Sequence, residues 1–334
     1  MELGNTQTAS YIAGGAFAQL DKSDYANSKT WLQGLEASAT SPDGDLMAVP
    51  YYAGSRVVIY RTDMWKKAGI TSAPATLDEL NADLDKVQAA NSGDTSFSAF
   101  YMPGKYWYAA MSFVHGAGGT IAKREGGKWT AQLSSPQAQQ GLAEWRTLAT
   151  KYSTGGATKD EADQDAIMAQ GHVSAIVGNG WEVGAVTDPK TGDPKLGPKL
   201  STFPLPGTSA GHYTPSFLGG SDLAVPQKAP NADLGAEWIK IYTDTQSQKM
   251  LAKYAIPNTT SLLSVYEAQG QANQSTGEAA KDTWFVPNTP NWANVESNNV
   301  LQNALESIAT GQSSIADATK QADAQIDKIL NAKG

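Results

Sequence analysis

The run from Ser41 to Ile70, SPDGDLMAVPYYAGSRVVIYRTDMWKKAGI, constrains the fold more than any other stretch. It opens on Pro42-Asp43-Gly44, a turn in which proline presets φ and glycine accepts positive φ. The apolar piece Leu46-Met47-Ala48-Val49 then meets Pro50, which has no N–H to give a central ladder. Two tyrosines and a glycine lead to the β-branched run Val57-Val58-Ile59-Tyr60. The reading is a strand that stops at Pro50, crosses a short aromatic segment and enters a second sheet. Asp63 to Gly69 follows as a short helix, with glycine as its stop.

At 334 residues the chain is long enough for two packed units, and 40% hydrophobic residues suffice to bury their cores. No apolar run approaches the roughly 20 residues that cross a bilayer. The net charge of −8 argues against a polyanionic partner such as nucleic acid. Cysteine is absent, which excludes disulfides, thiolate metal sites and cysteine catalysis. His115, His172 and His212 are far apart in sequence, so neither a metal site nor a cofactor is expected.

The segment PYYAGSRVVIYRTDMWKKAGI, followed by PATLDEL, resembles the first interlobe crossing of extracellular sugar-binding proteins of ABC importers (family 1 solute-binding proteins). The resemblance implies an α/β fold, a two-lobed periplasmic-binding-protein-like (type II) clamshell. Lobe 1 is expected over 1–51 and 222–268, and lobe 2 over 55–219 and 275–334. The crossings fall near 50–54, 219–222 and 269–276, the last polar and mobile in appearance. Met1 to Asn5 matches the segment after the family's second βα unit. Lobe 1 is therefore expected to be incomplete at its N-terminus, by on the order of 50–60 residues at about 30 per βαβ unit. A leader and an anchoring segment would lie upstream.

Four places carry the candidate site. Gly4-Asn5-Thr6-Gln7 puts polar side chains just past a strand's carboxyl end, where open α/β sheets hold ligands; a helix N-cap at Thr6 or Thr8 explains the same residues. Tyr106-Trp107-Tyr108 precedes a helix, and helical neighbours diverge by about 100°, so the three rings cannot all face one core. Trp181, between Gly180 and Glu182, ends the buried strand Val173–Val177 and faces either a ligand or the bottom of the sheet. Gly219-Gly220-Ser221 suits a hinge lying close to a ligand, while Asp222 either caps backbone or meets a hydroxyl.

By the resemblance, Tyr51, Tyr52, Tyr106, Trp107, Tyr108, Trp181 and Trp292 line the sugar cleft. Asn5, Thr6, Gln7 and Ser221 would bond hydroxyls, with Gly219, Gly220 and Asn258 beside them. Trp145 and Trp238 fall on apolar helix stripes and are read as core. Thr76 with Glu79 forms a capping box that opens a helix to about Ala90.

An enzyme is the competing reading. A glycosidase needs two carboxylates across a cleft, and Glu182 is the only prominent one near the aromatics. No Ser–His–Asp order, HExxH, P-loop or GxGxxG occurs. The expectation is a non-enzymatic solute receptor, extracellular, cell-surface or periplasmic. It would bind a mono- or oligosaccharide, deliver it to membrane permease subunits and be monomeric when full length.

Overall fold

The computed structural model describes residues 1–332; the last two residues of the expected lobe 2 lie outside them. Two sheets organise the chain. The first has the order β1 (Glu2–Gly4), β9 (Gly219–Leu223), β2 (Val49–Gly54), β10 (Ile256–Pro257), each pair antiparallel. The second runs β6 (Ala175–Asn179), β3 (Arg56–Arg61), β7 (Leu200–Phe203), again antiparallel. A parallel pair, β8 (Ser216–Phe217) with β11 (Thr283–Trp284), and the hairpin β4 (Ala122–Glu125) with β5 (Lys128–Ala131) complete the strands.

The chain passes from the first sheet to the second at Ser55, between β2 and β3, rather than at Pro50. Pro50 lies inside β2 opposite Asp222, and the register shifts before Tyr52 pairs with Ser221. Such an irregularity is where a strand tolerates proline, because its missing N–H breaks no regular ladder bond. Ser55 is fixed by its hydroxyl, which donates to the Thr276 carbonyl at 2.6 Å. The return passage occurs at Leu218, whose N–H donates to the Trp284 carbonyl at 3.2 Å. The Leu218 carbonyl accepts from the Asn5 amide at 3.0 Å. One residue thus bonds to both units.

Around the first sheet lie α1 (Asn5–Ala13), α2 (Gln33–Ala39), α9 (Ala232–Tyr242), α10 (Thr245–Leu251) and α11 (Leu263–Glu267). Leu3, Phe17, Trp31, Val49, Leu223 and Ile239 form the main core there. With the second sheet go α3 (Thr62–Lys67), α4 (Leu77–Ala90), α5 (Trp107–Gly116), α6 (Pro136–Thr147), α7 (Gln164–Ala169) and α8 (Glu182–Val186). They are joined by α12 (Gln271–Ala279), α13 (Trp292–Ser297), α14 (Val300–Ala309) and α15 (Ile315–Leu330). Successive residues of β3 enter opposite cores, Val57 and Ile59 in one and Val58 in the other. A strand buried on both faces reads as a continuous apolar run, as β3 does.

Several local expectations take a different form. α1 begins at Asn5 with Gly4 as its cap and no side-chain capping bond, so neither Thr6 nor Thr8 is the N-cap. The segment Gln269–Thr276 is not a mobile loop, because α12 starts directly after Gly270 and buries Ser275 and Thr276 against its neighbours. Trp238 is 52% exposed, together with Leu234, Ile241 and Tyr242 on one side of α9. That helix turns Ile239 inward instead. Trp145 is fully buried, and the Thr76 hydroxyl accepts from the Glu79 N–H at 3.2 Å, both as read from the sequence.

Candidate functional site

The site is built outward from Arg56, the first residue of β3 after the crossing. Its N–H donates to the Ser216 hydroxyl at 2.7 Å, which ties the start of β3 to β8. Its side chain enters the aromatic group at the beginning of α5. Nε donates to the Tyr106 hydroxyl at 2.8 Å, and the guanidinium carbon lies 4.4 Å from the Tyr108 centroid and 5.4 Å from that of Phe217. A guanidinium over ring faces is attracted by their quadrupoles, most strongly where water is excluded. Burial works against the Arg56 charge, but Tyr106, Tyr108 and Glu161 outweigh it and hold the group above its ordinary pKa. Burial in turn raises the Tyr106 hydroxyl and pushes Tyr108 up to about 12, so both remain neutral donors.

Three carboxylates surround this group. Burial raises Glu161, Glu182 and Glu296 above the usual range. Glu182 is committed to the end of β6: it accepts from the Asn179 N–H at 2.8 Å and from the Gln164 amide at 2.7 Å. That leaves it capping backbone rather than poised as an acid. Glu296 accepts from the Trp292 indole at 2.7 Å, and the Thr6 hydroxyl further favours its charged form. This contact joins α1 of the first unit to α13 of the second. Beside it, the Ser10 hydroxyl donates to the Pro290 carbonyl at 2.8 Å.

Three hollows open around these residues. One, between α1 and α13, is lined by Gln7, Ser10, Tyr11 and Glu296. The second lies over Trp107 and Tyr108, with Lys105, Asp160, Glu161, Asn299, Gln302 and Asn303 on its walls. The third is a crevice of about 240 Å³ at the crossings, where Trp181 meets Gly54, Ser55, Tyr254, Tyr266 and Asn273. Trp181 is 56% exposed and does not plug the sheet. Its ring packs so closely on Gly54 that a Cβ there would stand 2.9 Å from it. The structure therefore puts Tyr108 and Trp181 in different hollows.

The aromatic triplet divides as helical geometry demands. Tyr106 and Trp107 are buried and Tyr108 is half-buried, its ring stacked on Trp107 at 3.9 Å. Thr6 is half-buried, Gln7 exposed, and Tyr51, Tyr52, Gly219 and Gly220 half-buried along the crossing strands. Tyr51 is engaged by Tyr242, their hydroxyls 2.9 Å apart.

The remaining expected contacts serve the framework instead. Trp292 sits in the large core because α13 turns it inward, leaving Glu296, one helical turn on, to face the groove. Asn258 is buried with its amide donating to the Pro50 carbonyl at 2.7 Å, where the bulge leaves that oxygen to be satisfied. Asn5 is spent on Leu218, and Ser221 is buried between β1 and β2. Tyr106 and Trp107 support Tyr108 from below.

Sequence reasoning missed Arg56, Glu161, Glu296 and the amides of Asn299, Gln302 and Asn303. Arg56 had a signal: a cation at the mouth of the apolar run Val57–Tyr60, next to the crossing. The others are polar residues on polar stretches and carried none.

A family described as bacterial extracellular solute-binding protein matches residues 1–249. The chain belongs to that family. A relative is the diacetylchitobiose binding protein DasA of Streptomyces coelicolor, 32% identical over 98% of this chain and 76% of its own length. Among solved structures, the GacH receptor of Streptomyces glaucescens, studied unliganded and with acarbose, superposes with a TM-score of 0.81. It is 17% identical and is matched over 100% of this chain and 84% of its own. A cyclo/maltodextrin-binding protein complexed with maltotetraose gives a TM-score of 0.81 at 19% identity, over 100% and 83% of the two chains. The fold of this family member is accordingly the two-lobed α/β clamshell of periplasmic binding proteins. The family's members are substrate-binding proteins rather than enzymes.

Proposed function

We propose that this chain is the solute receptor of a carbohydrate ABC importer, working outside the cytoplasmic membrane and handing its sugar to permease subunits. The two sheets are the centres of the two lobes, with 1–51 and 222–268 in one and 55–219 and 275–332 in the other. The observation that carries the reading is Tyr108. Its half-buried ring, backed by Trp107, lies beside the Arg56 cation and opens to a hollow walled by Glu161 and three amides. A pyranose has an apolar C–H face and a polar rim. The first suits a ring held flat by its neighbours. The second suits fixed charges, whose hydrogen bonds are about twice as strong as neutral ones.

The groove between α1 and α13 extends this surface to the other lobe through Glu296 and Thr6. A sugar touching both walls stabilises the closed arrangement by its differential affinity for it. The named ligands of the relatives make diacetylchitobiose and malto-oligosaccharides the first probes. A thermal-shift screen of the protein against these and simple monosaccharides tests the reading. A dose-dependent rise in melting temperature with at least one sugar is expected, since a ligand that binds only the native state stabilises it. A flat response to every sugar would count against it.

A further inference from the structure

Asp222, the last residue but one of β9, is fully buried between Leu3 on β1 and Pro50 on β2. Its Oδ2 is 2.6 Å from the Thr8 hydroxyl of α1 and 3.0 Å from the Ser38 hydroxyl of α2. Oδ1 is buried and has no hydrogen-bond partner among the described residues. The Ser38 hydroxyl has one proton but two acceptors in reach, Asp222 and the Leu35 carbonyl at 2.8 Å. If Ser38 donates to Leu35, its 3.0 Å contact with Asp222 is a hydrogen bond only when Asp222 supplies the proton. A protonated Oδ2 donates to Ser38 and still accepts from Thr8. The lone buried Oδ1 is then a neutral carbonyl oxygen, far less costly to leave unpaired than a carboxylate oxygen.

We infer that Asp222 is a positioning residue that works as a neutral acid, pinning α1 and α2 to the second crossing strand. Together with the bond from Asn5 to Leu218, it sets where the first turn of α1 stands, and that turn carries Gln7 to the groove and Thr6 to Glu296. The importance of this for a ligand rests on the sugar-receptor reading; the protonation and the pinning do not.

Burial pushes the Asp222 carboxyl up to about 7 against the opposing hydrogen bonds from Thr8 and Ser38. Among the described residues no charged group faces it. β1 presents Leu3, β2 presents Pro50, α1 presents Thr8 and α2 presents Ser38. The titratable groups on those elements point elsewhere: Glu2 and Tyr11 are exposed, Tyr51 pairs with Tyr242, Tyr52 is half-buried, and Glu36 pairs with Lys22. Ionisation therefore places an uncompensated charge inside the first sheet.

The test compares wild type with Asp222→Asn, which stays neutral at every pH. Its amide N–H groups can donate to the Ser38 and Thr8 oxygens, with the Thr8 proton turned to the Gly4 carbonyl at 3.5 Å. Hydrogen exchange of peptides covering α1 is measured without ligand at about pH 6 and about pH 8.5, either side of the titration. Equal protection is expected at the lower pH, with wild type exchanging several-fold faster than the variant at the higher. Equal protection at both would overturn the proposal. Should the variant not fold, carbon-13 carboxyl shifts of wild type decide: one aspartate titrating near neutrality supports it, and all aspartates titrating in the ordinary range overturn it. Neither readout uses a sugar, so failure of the sugar-receptor reading shows up separately, in the thermal-shift screen.

Discussion

The guanidinium of Arg56 lies 4.4 Å from the ring centroid of Tyr108. Glu161 and Glu182 are within electrostatic reach of the same cation. Arg56→Met keeps the length of the side chain and removes the charge, leaving two partly buried carboxylates without it. Both already have raised pKa values, and the variant raises them further. A carboxyl whose folded pKa lies above its unfolded value contributes stability at low pH and loses it as pH rises through the folded pKa. Melting temperature in the variant should therefore fall more steeply than in wild type as pH rises above the ordinary carboxylate range. Parallel pH profiles would show that Arg56 does not neutralise the pair.

The two tryptophans Trp145 and Trp181 should respond very unequally to truncation. Trp145 is fully buried in the large core, and its replacement by alanine should cost about 3–5 kcal/mol. Trp181 is 56% exposed, with its ring against Gly54, so Trp181→Ala should cost no more than about 1 kcal/mol. Urea melts of the two variants check the difference.

Two crossing glycines should also differ. Gly220 has φ of +149°, and a Cβ there would lie 2.1 Å from the Tyr52 carbonyl oxygen, a backbone atom. Gly220→Ala should weaken the pairing of β9 with β2 and lower stability by more than about 1 kcal/mol. At Gly54 the obstructing atoms belong to the partly exposed Trp181 ring, which can turn aside. Gly54→Ala should accordingly be milder in melts but change Trp181 fluorescence. Equal losses of stability would contradict the assignment.

What could be read from residues alone followed the physics that acts locally. A β-branched run and a threonine three residues before a glutamate marked β3 and α4, because propensity and capping are properties of neighbours in sequence. Pro50 was misplaced as a strand end because the bulge that accommodates it depends on Asp222, more than a hundred residues away. The aromatic residues posed the same difficulty. Trp107, Trp292 and Tyr108 look alike in sequence, and only the packing of α5 against α13 and α14 decides which ring is left half-open. Trp238 erred in the other direction, since an apolar stripe states which face of a helix is oily but not what covers it.

The central claim is that Tyr108 is the sugar-stacking platform, and calorimetric titration of Tyr108→Ala beside wild type tests it most directly. The saccharide giving the largest thermal shift is the titrant. Loss of an aromatic anchor of this kind should weaken binding by about 1–3 kcal/mol, or about 5- to 150-fold. The variant should still melt cooperatively, since Tyr108 is only half-buried. Wild-type affinity retained by a well-folded Tyr108→Ala protein would contradict the account.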